Sequence, residues 1–161
     1  MSNEKLRFAR PYIIIGALLA GLAVVLGAFG AHGLKSVLNA QQLNTFEIGV
    51  RYQMYHALAL MLLPALSAYA SPKWANRVAF CFVTGTVLFS GSLYALAISG
   101  IKWFGPITPL GGLFMITGWI LLIAGLLMGP STHNVSAQQS LTEKDKINAK
   151  HVNQNKGAGN V

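Results

Sequence analysis

Several side chains able to carry protons, bind anions or ligate metals stand at the edges of apolar sequence in this chain, and they cluster. His32 closes one apolar run, Glu47, Arg51, Tyr52, Gln53, Tyr55 and His56 open the next, Ser90 and Tyr94 fall late in a third, and Thr108 opens a fourth. Glu47 and Arg51 are four residues apart, a spacing that permits an ion pair on one helical face, and Tyr52 and His56 form a second such pair. Three chemistries fit these residue types. In the first they make a polar cap: Arg51 reaches the membrane surface, Glu47 balances it, the tyrosines join an aromatic belt, and His56 hydrogen-bonds a neighbouring helix. In the second, His32, Arg51 and His56 line an outward-facing pocket for a ligand, a proton or an anionic lipid headgroup. The third has His32 and His56 holding haem or a metal through neutral imidazole. The paired-helix histidine spacing of membrane cytochromes is missing, so neither a cofactor nor a metal is expected. The sequence holds no Walker, Rossmann, zincin or P-loop pattern, so no catalytic residue is assigned and an enzyme is not expected.

The elements that must position these groups are apolar stretches at 12–31, 52–70, 78–99 and 107–128, in a chain that is 53% hydrophobic and only 10% charged. A hydrocarbon core ~30 Å thick takes roughly 20 helical residues to cross, and each stretch comes close to that. The expected fold is therefore all-α: a four-transmembrane-helix bundle with spans at about 12–31, 50–70, 77–99 and 107–128, forming a membrane domain over 1–130. The first run also has the basic start and small residues of a signal peptide, but it outlasts the ~7–15 residues of a signal-peptide core, and a retained span is expected.

The net charge of +8 comes from Lys and Arg that flank the spans and do not interleave with aromatics, so lipids and not nucleic acid are the expected partners. Lys5, Arg7, Arg10, Lys73 and Arg77 fall on one side and Lys35, Arg51 and Lys102 on the other, which predicts both termini in the cytoplasm. Span one carries Gly16, Ala20, Ala23, Gly27 and Ala31 on one stripe, span three offers Gly91, Ala95 and Ser99, and span four ends in the GxxxG of Gly125 and Gly129. Small residues mark seams where helix backbones approach closely, within the chain or in a homo-oligomer. The lone Cys81 is expected to pack, with no disulfide partner in the chain.

Between the first two spans, residues 34–47 mix Leu34, Val37, Leu38, Leu43 and Phe46 with polar residues. This predicts a short amphipathic segment at the membrane surface, or else a polar loop, with Asn39 or Asn44 marking a break before span two. Ser71 to Trp74 make a tight hairpin, and Pro64 is expected to kink span two below His56. From 131 to 161 the composition turns to Gln, Asn, Lys, Ser and Gly, which predicts a disordered polar tail.

Several segments in order carry a resemblance. They are Gly27-Ala28-Phe29-Gly30-Ala31-His32-Gly33-Leu34, the stretch from Phe46 to Leu60, Phe89-Ser90-Gly91-Ser92-Leu93-Tyr94, Ile107-Thr108-Pro109-Leu110-Gly111-Gly112, and Gly118-Trp119. The chain resembles the small multispan proteins grouped as domain of unknown function 423, related to the animal transmembrane protein 256. The resemblance covers roughly residues 10–128. It implies a multi-pass protein of the bacterial cytoplasmic (inner) membrane, and it carries no catalytic residue over. The expected role is a non-enzymatic interaction or lipid-associated accessory protein, with a membrane protein or a second copy as possible partner. The alternative is a small transporter or permeability factor that uses the polar pocket.

Overall fold

A computed structural model of the chain describes residues 3–66, 69, 72–129 and 143–144. The chain divides into two units, Met1–Gly129 and Pro130–Val161. The tail expected at 131–161 lies outside the described residues apart from Glu143 and Lys144, which are helical, and Ser71 of the hairpin also lies outside them. Among the described residues the fold is all-helical. Helix α1 (Asn3–Phe29) runs on into a π-helical turn (Gly30–Leu34), followed by α2 (Ala40–Leu66), α3 (Pro72–Ser99), a 3-10 turn (Lys102–Phe104) and α4 (Ile107–Met128).

One expectation is met in part and one is corrected. Among the described residues, three helices are long and apolar enough to cross a membrane, within Arg7–Leu34, Lys73–Ser99 and Lys102–Met128, and α2 does not reach that standard. From Ala40 to His56 it carries Gln41, Gln42, Asn44, Glu47, Arg51, Gln53 and His56, and these outweigh the apolar run that starts at Ala57. Nor is there a separate amphipathic segment, because Asn39 starts α2 directly. The Gln42 N–H donates to Asn39 Oδ1 at 2.9 Å and the Asn39 N–H donates to Gln42 Oε1 at 3.1 Å, a reciprocal cap that satisfies two free helix-end donors. Asn44 is then an interior residue of α2. The apolar residues of the segment are still used on one face. Leu38, Leu43 and Val50 pack around a buried cluster of Leu34, Phe46 and Ala97. Pro64 falls in the last turn of α2, which continues past it to Leu66.

Packing follows chain order: α1 lies against α2, α2 against α3, and α3 against α4. Side chains also bridge α1 to α3, through Tyr12 and Asn76, and α2 to α4, through His56 and Trp119. Helices α2 and α3 are thus the central pair, with α1 and α4 on their flanks. Burial agrees with this: 44% of the apolar window of α3 is buried, against 17% in α1 and 22% in α4. Tyr12, Leu60, Leu63, Val78 and Phe82 form the apolar core toward the end where α1 begins.

Glycines set the closest seams. A Cβ at Gly16 would stand 2.7 Å from the Ala57 carbonyl oxygen of α2, and one at Gly85 would stand 2.9 Å from the Met115 nitrogen of α4. Gly111 allows the backbone of Phe89 to approach, and Gly118 the ring of Phe82. Gly111, Gly118 and Gly125 recur every seven residues on α4, the repeat of helices crossing at a shallow angle. In α1, Gly16, Ala23 and Gly27 serve the expected stripe, whereas Ala31 is exposed. Gly91 and Ser99 are likewise exposed, and of the GxxxG at the end of α4 Gly125 is buried against Trp74 of α3 whereas a Cβ at Gly129 would meet nothing within 4 Å among the described residues. Gly129 instead closes α4 with a φ of 69°, a conformation that suits glycine.

Candidate functional site

Near the middle of the central pair, polar side chains turn inward and bond one another. Gly49 and Gln53 are one turn apart on α2 and face Tyr94 of α3. A Cβ at Gly49 would lie 2.7 Å from the Tyr94 ring, so the missing side chain seats the ring there. The Tyr94 hydroxyl then donates to Gln53 Oε1 at 2.9 Å, and Gln53 Nε2 donates to the Leu19 carbonyl of α1 at 2.8 Å. One amide, 3% exposed, ties three helices together.

His56 is 4% exposed and lies one turn further along α2. Its Nδ1 is 2.8 Å from the Tyr52 carbonyl oxygen, and its Nε2 is 3.3 Å from Trp119 Nε1. An indole nitrogen can only donate, so Nε2 accepts and the proton sits on Nδ1, from which it is donated to Tyr52. The imidazole is held as one neutral tautomer with both nitrogens in use. Aromatic rings wall it in: Phe82 meets it edge-on at 5.1 Å, Trp119 lies at 6.1 Å and Tyr52 stacks at 6.4 Å. Phe82 reaches this position over Gly118, where a Cβ would stand 2.6 Å from its ring.

Thr86 and Ser90 of α3 complete the core. Phe82, Thr86, Ser90 and Tyr94 follow one another at four-residue steps, which places the two hydroxyls between the His56 contact and the Gln53 bond. Both residues are almost wholly buried, 2% and 1% exposed, and neither hydroxyl oxygen has a partner among the described residues. Toward the α4 side, the Ser92 hydroxyl donates to the Phe89 carbonyl at 2.9 Å, which leaves Thr108 to donate to Ser92 at 2.8 Å.

The remaining candidates are placed differently. His32, Glu47, Arg51, Tyr52 and Tyr55 are exposed, and among the described residues no ion pair joins Glu47 to Arg51 and no bond or ring contact joins His32 to the others. Tyr52 packs on Phe89 at 4.8 Å and on Tyr55 at 6.0 Å. Among the described residues no bond or ring contact joins His32, Arg51 and His56 to one another. Among the described residues no group of three His, Cys, Asp or Glu is assembled, and a metal at His56 Nε2 would have to displace Trp119.

Sequence reasoning missed Trp119, Phe82, Gly49, Thr86 and the Leu19 carbonyl. Thr86 was within reach, because stepping back from Tyr94 by four gives Ser90 and then Thr86. A backbone acceptor such as Leu19 has no sequence signal. The Phe-Gly-Ala-His-Gly-Leu motif at 29–34 has a steric explanation. Gly30 admits the Phe46 ring, at 3.1 Å from where its Cβ would stand, Gly33 admits the Phe29 ring at 2.7 Å, and Leu34 is buried below them.

Long helices that present apolar residues outward while bonding their polar groups to one another are the architecture of a multi-pass membrane protein. The chain belongs to the family described as protein of unknown function (DUF423), whose profile matches residues 26–112. It is 46% identical over 116 residues to a UPF0382 membrane protein of Staphylococcus saprophyticus, covering 72% of this chain and 96% of that one. It is 47% identical over 118 residues to one of Bacillus subtilis, covering 71% and 94%, and 42% identical over 114 residues to one of Haemophilus influenzae, covering 71% and 91%. No solved structure matches the chain. The matched segment holds Gly49, Gln53, His56, Thr86, Ser90, Tyr94 and Thr108, whereas Leu19 and Trp119 fall outside it.

Proposed function

We propose that the protein is a non-enzymatic four-span protein of the bacterial inner membrane that works through its lipid-facing surfaces, as a lipid-associated accessory protein. One observation carries this reading: Gln53, Tyr94, His56 and Trp119 use their hydrogen-bonding groups on one another and on helix backbone, while α1 and α4 turn residues such as Leu18, Val25, Leu113 and Ile120 outward. Helix α2 counts as a span in this reading because a mean hydropathy treats Gln53 and His56 as lipid-facing when they are buried against α3 and α4. A buried polar residue with a partner is compatible with a span.

The topology is tested with single cysteines in a Cys81→Ala background, labelled from either side of intact membranes. Lys35→Cys and Lys102→Cys are expected to react on the side opposite Lys73→Cys, with the termini on the side of Lys73. Reaction of Lys35→Cys and Lys73→Cys on the same side would show that α2 does not cross. The accessory role is tested by photo-crosslinking in native membranes. Repeated failure to recover a specific lipid or protein would end it.

A second reading, a small transporter or permeability factor, is favoured by the hydroxyls of Thr86 and Ser90, buried midway along the central pair with no partner among the described residues. Reconstituted vesicles carrying the protein are then expected to pass protons or a small polar solute faster than empty vesicles. The Thr86→Val, Ser90→Ala double variant should remove that excess. Equal flux with and without protein would discard this reading.

A further inference from the structure

A groove runs along the outside of the bundle between α1 and α3, and its chemistry changes from one end to the other. Its walls are Tyr12 and Ile15 on α1 and Asn76 and Val83 on α3, with Leu60 of α2 contributing to the lining, and it holds about 310 Å³. That is at the small end of the ~300–1,000 Å³ of ligand sites. Ile15, Leu60 and Val83 make it apolar along most of its length. One pair is polar: the Tyr12 hydroxyl donates to Asn76 Oδ1, which leaves the Asn76 amide N–H groups without a partner among the described residues. Asn76 is exposed, so these donors are available to a molecule in the groove.

Beyond that pair the charge is positive. Arg7 stands one helical turn before Pro11 of the groove wall, and Lys73 one turn before Asn76, both exposed. Arg10 and Arg77 are at the same end, the latter with its guanidinium 5.5 Å from the centre of the Trp74 ring. In sequence, residues 4–10 and 73–77 hold five Lys and Arg and one carboxylate. An apolar channel within the span that ends in amide donors and then cations at the helix ends has the polarity sequence of an anionic phospholipid: acyl chain, ester, phosphate.

We propose that this groove is a binding site for one anionic phospholipid, with an acyl chain between α1 and α3 along Ile15 and Val83, and its phosphate held by Arg7, Lys73 and the Asn76 amide. The inference rests on the lipid-associated reading above and gives it a location. It does not depend on whether α2 spans the membrane, since the groove lies between two helices that are long and apolar enough to do so.

The test uses the full chain, delipidated in detergent and titrated with phosphatidylglycerol or phosphatidylcholine, with bound lipid read by native mass spectrometry. One phosphatidylglycerol should bind per chain in preference to phosphatidylcholine. A basic residue near the membrane surface contributes about fivefold to the binding of acidic lipid, so Arg7→Gln with Lys73→Gln should weaken phosphatidylglycerol about thirtyfold and phosphatidylcholine, whose phosphate is balanced by its own choline, much less. Ile15→Trp, which fills the groove from a lipid-facing position without altering charge, should weaken both lipids. Elution volume and helical circular dichroism confirm that each variant is folded. Full phosphatidylglycerol binding in both folded variants would overturn the site while leaving the lipid-associated reading standing. Equal binding of the two lipids by the unaltered protein would overturn the preference for a net-anionic headgroup and with it the proposal. No lipid bound by the unaltered protein would overturn both the site and that reading.

Discussion

Helix α3 has two seams, and they are built on opposite principles. Against α4 it is joined chiefly by absence: Gly85, Gly111 and Gly118 let backbones and rings approach where any side chain would collide, and one hydrogen bond, Thr108 to Ser92, is added near the start of α4. Against α2 it is joined by polar side chains, with Gln53 bonded to Tyr94 and His56 set against Phe82. In lipid there is little hydrophobic drive between helices, so both solutions rely on what lipid cannot offer, close van der Waals contact in one and hydrogen bonds in the other. The choice determines how each helix reads. A glycine seam leaves α4 apolar enough to qualify as a span, whereas the polar seam keeps α2 from doing so.

The glycine seam should be the less tolerant of the two. Gly111→Leu drives a side chain into the backbone of Phe89, which cannot rotate away, and overpacking of this kind costs about 3 kcal/mol or more. Gly91→Leu, on the exposed side of the same α3 where a Cβ meets nothing within 4 Å, should cost almost nothing. Unfolding by SDS titration in mixed micelles measures both. Equal midpoints for the two variants would show that the α3–α4 seam is not held by backbone proximity.

The polar seam should weaken in a way that depends on its partner. Gln53→Leu strands the Tyr94 hydroxyl and removes the bond to Leu19, for a loss of about 1–3 kcal/mol if the stranded group stays buried, and nearer ~0.6 kcal/mol if it finds another partner in the membrane. Tyr94→Phe in the same chain removes the stranded hydroxyl and should recover part of that loss. A double-mutant cycle that closes with no coupling would mean that Gln53 and Tyr94 are neighbours without being bonded.

This contrast also explains what the sequence could convey. The helices were legible because lipid demands ~20-residue apolar runs, and α4 was placed at 107–128, where it is found. The start of α2 was not, because residues 34–47 read equally well as a surface amphipathic segment, and only the mutual bonding of Asn39 and Gln42 decides where the helix begins. Gln53 stood out as a polar residue in an apolar run. Trp119 did not, since tryptophan in a span is read as lipid-facing or interfacial, and at 43% exposure it is both in lipid's reach and bonded to His56. The seam glycines at 111, 118 and 125 were hidden by their seven-residue spacing, while the four-residue pattern at 125 and 129 proved to be a helix end.

The smallest expected effect separates a dry polar seam from a wet one. Thr86→Val keeps the shape of the side chain and deletes a hydroxyl that has no partner among the described residues. A buried hydroxyl without a bond carries an uncompensated desolvation cost, so its removal should leave stability unchanged or raise it by up to ~1 kcal/mol. Ser90→Ala should behave alike apart from a slight loss of packing. If both variants instead fall by about 1 kcal/mol or more, the hydroxyls have partners from outside the chain, and buried water is the group small enough to bridge two side chains one turn apart. The α2–α3 seam would then be a hydrated stripe midway through the bundle, the condition that the transport reading requires. Stabilisation by Thr86→Val would make the same stripe dry, and the polar residues of α2 would act on helix packing alone.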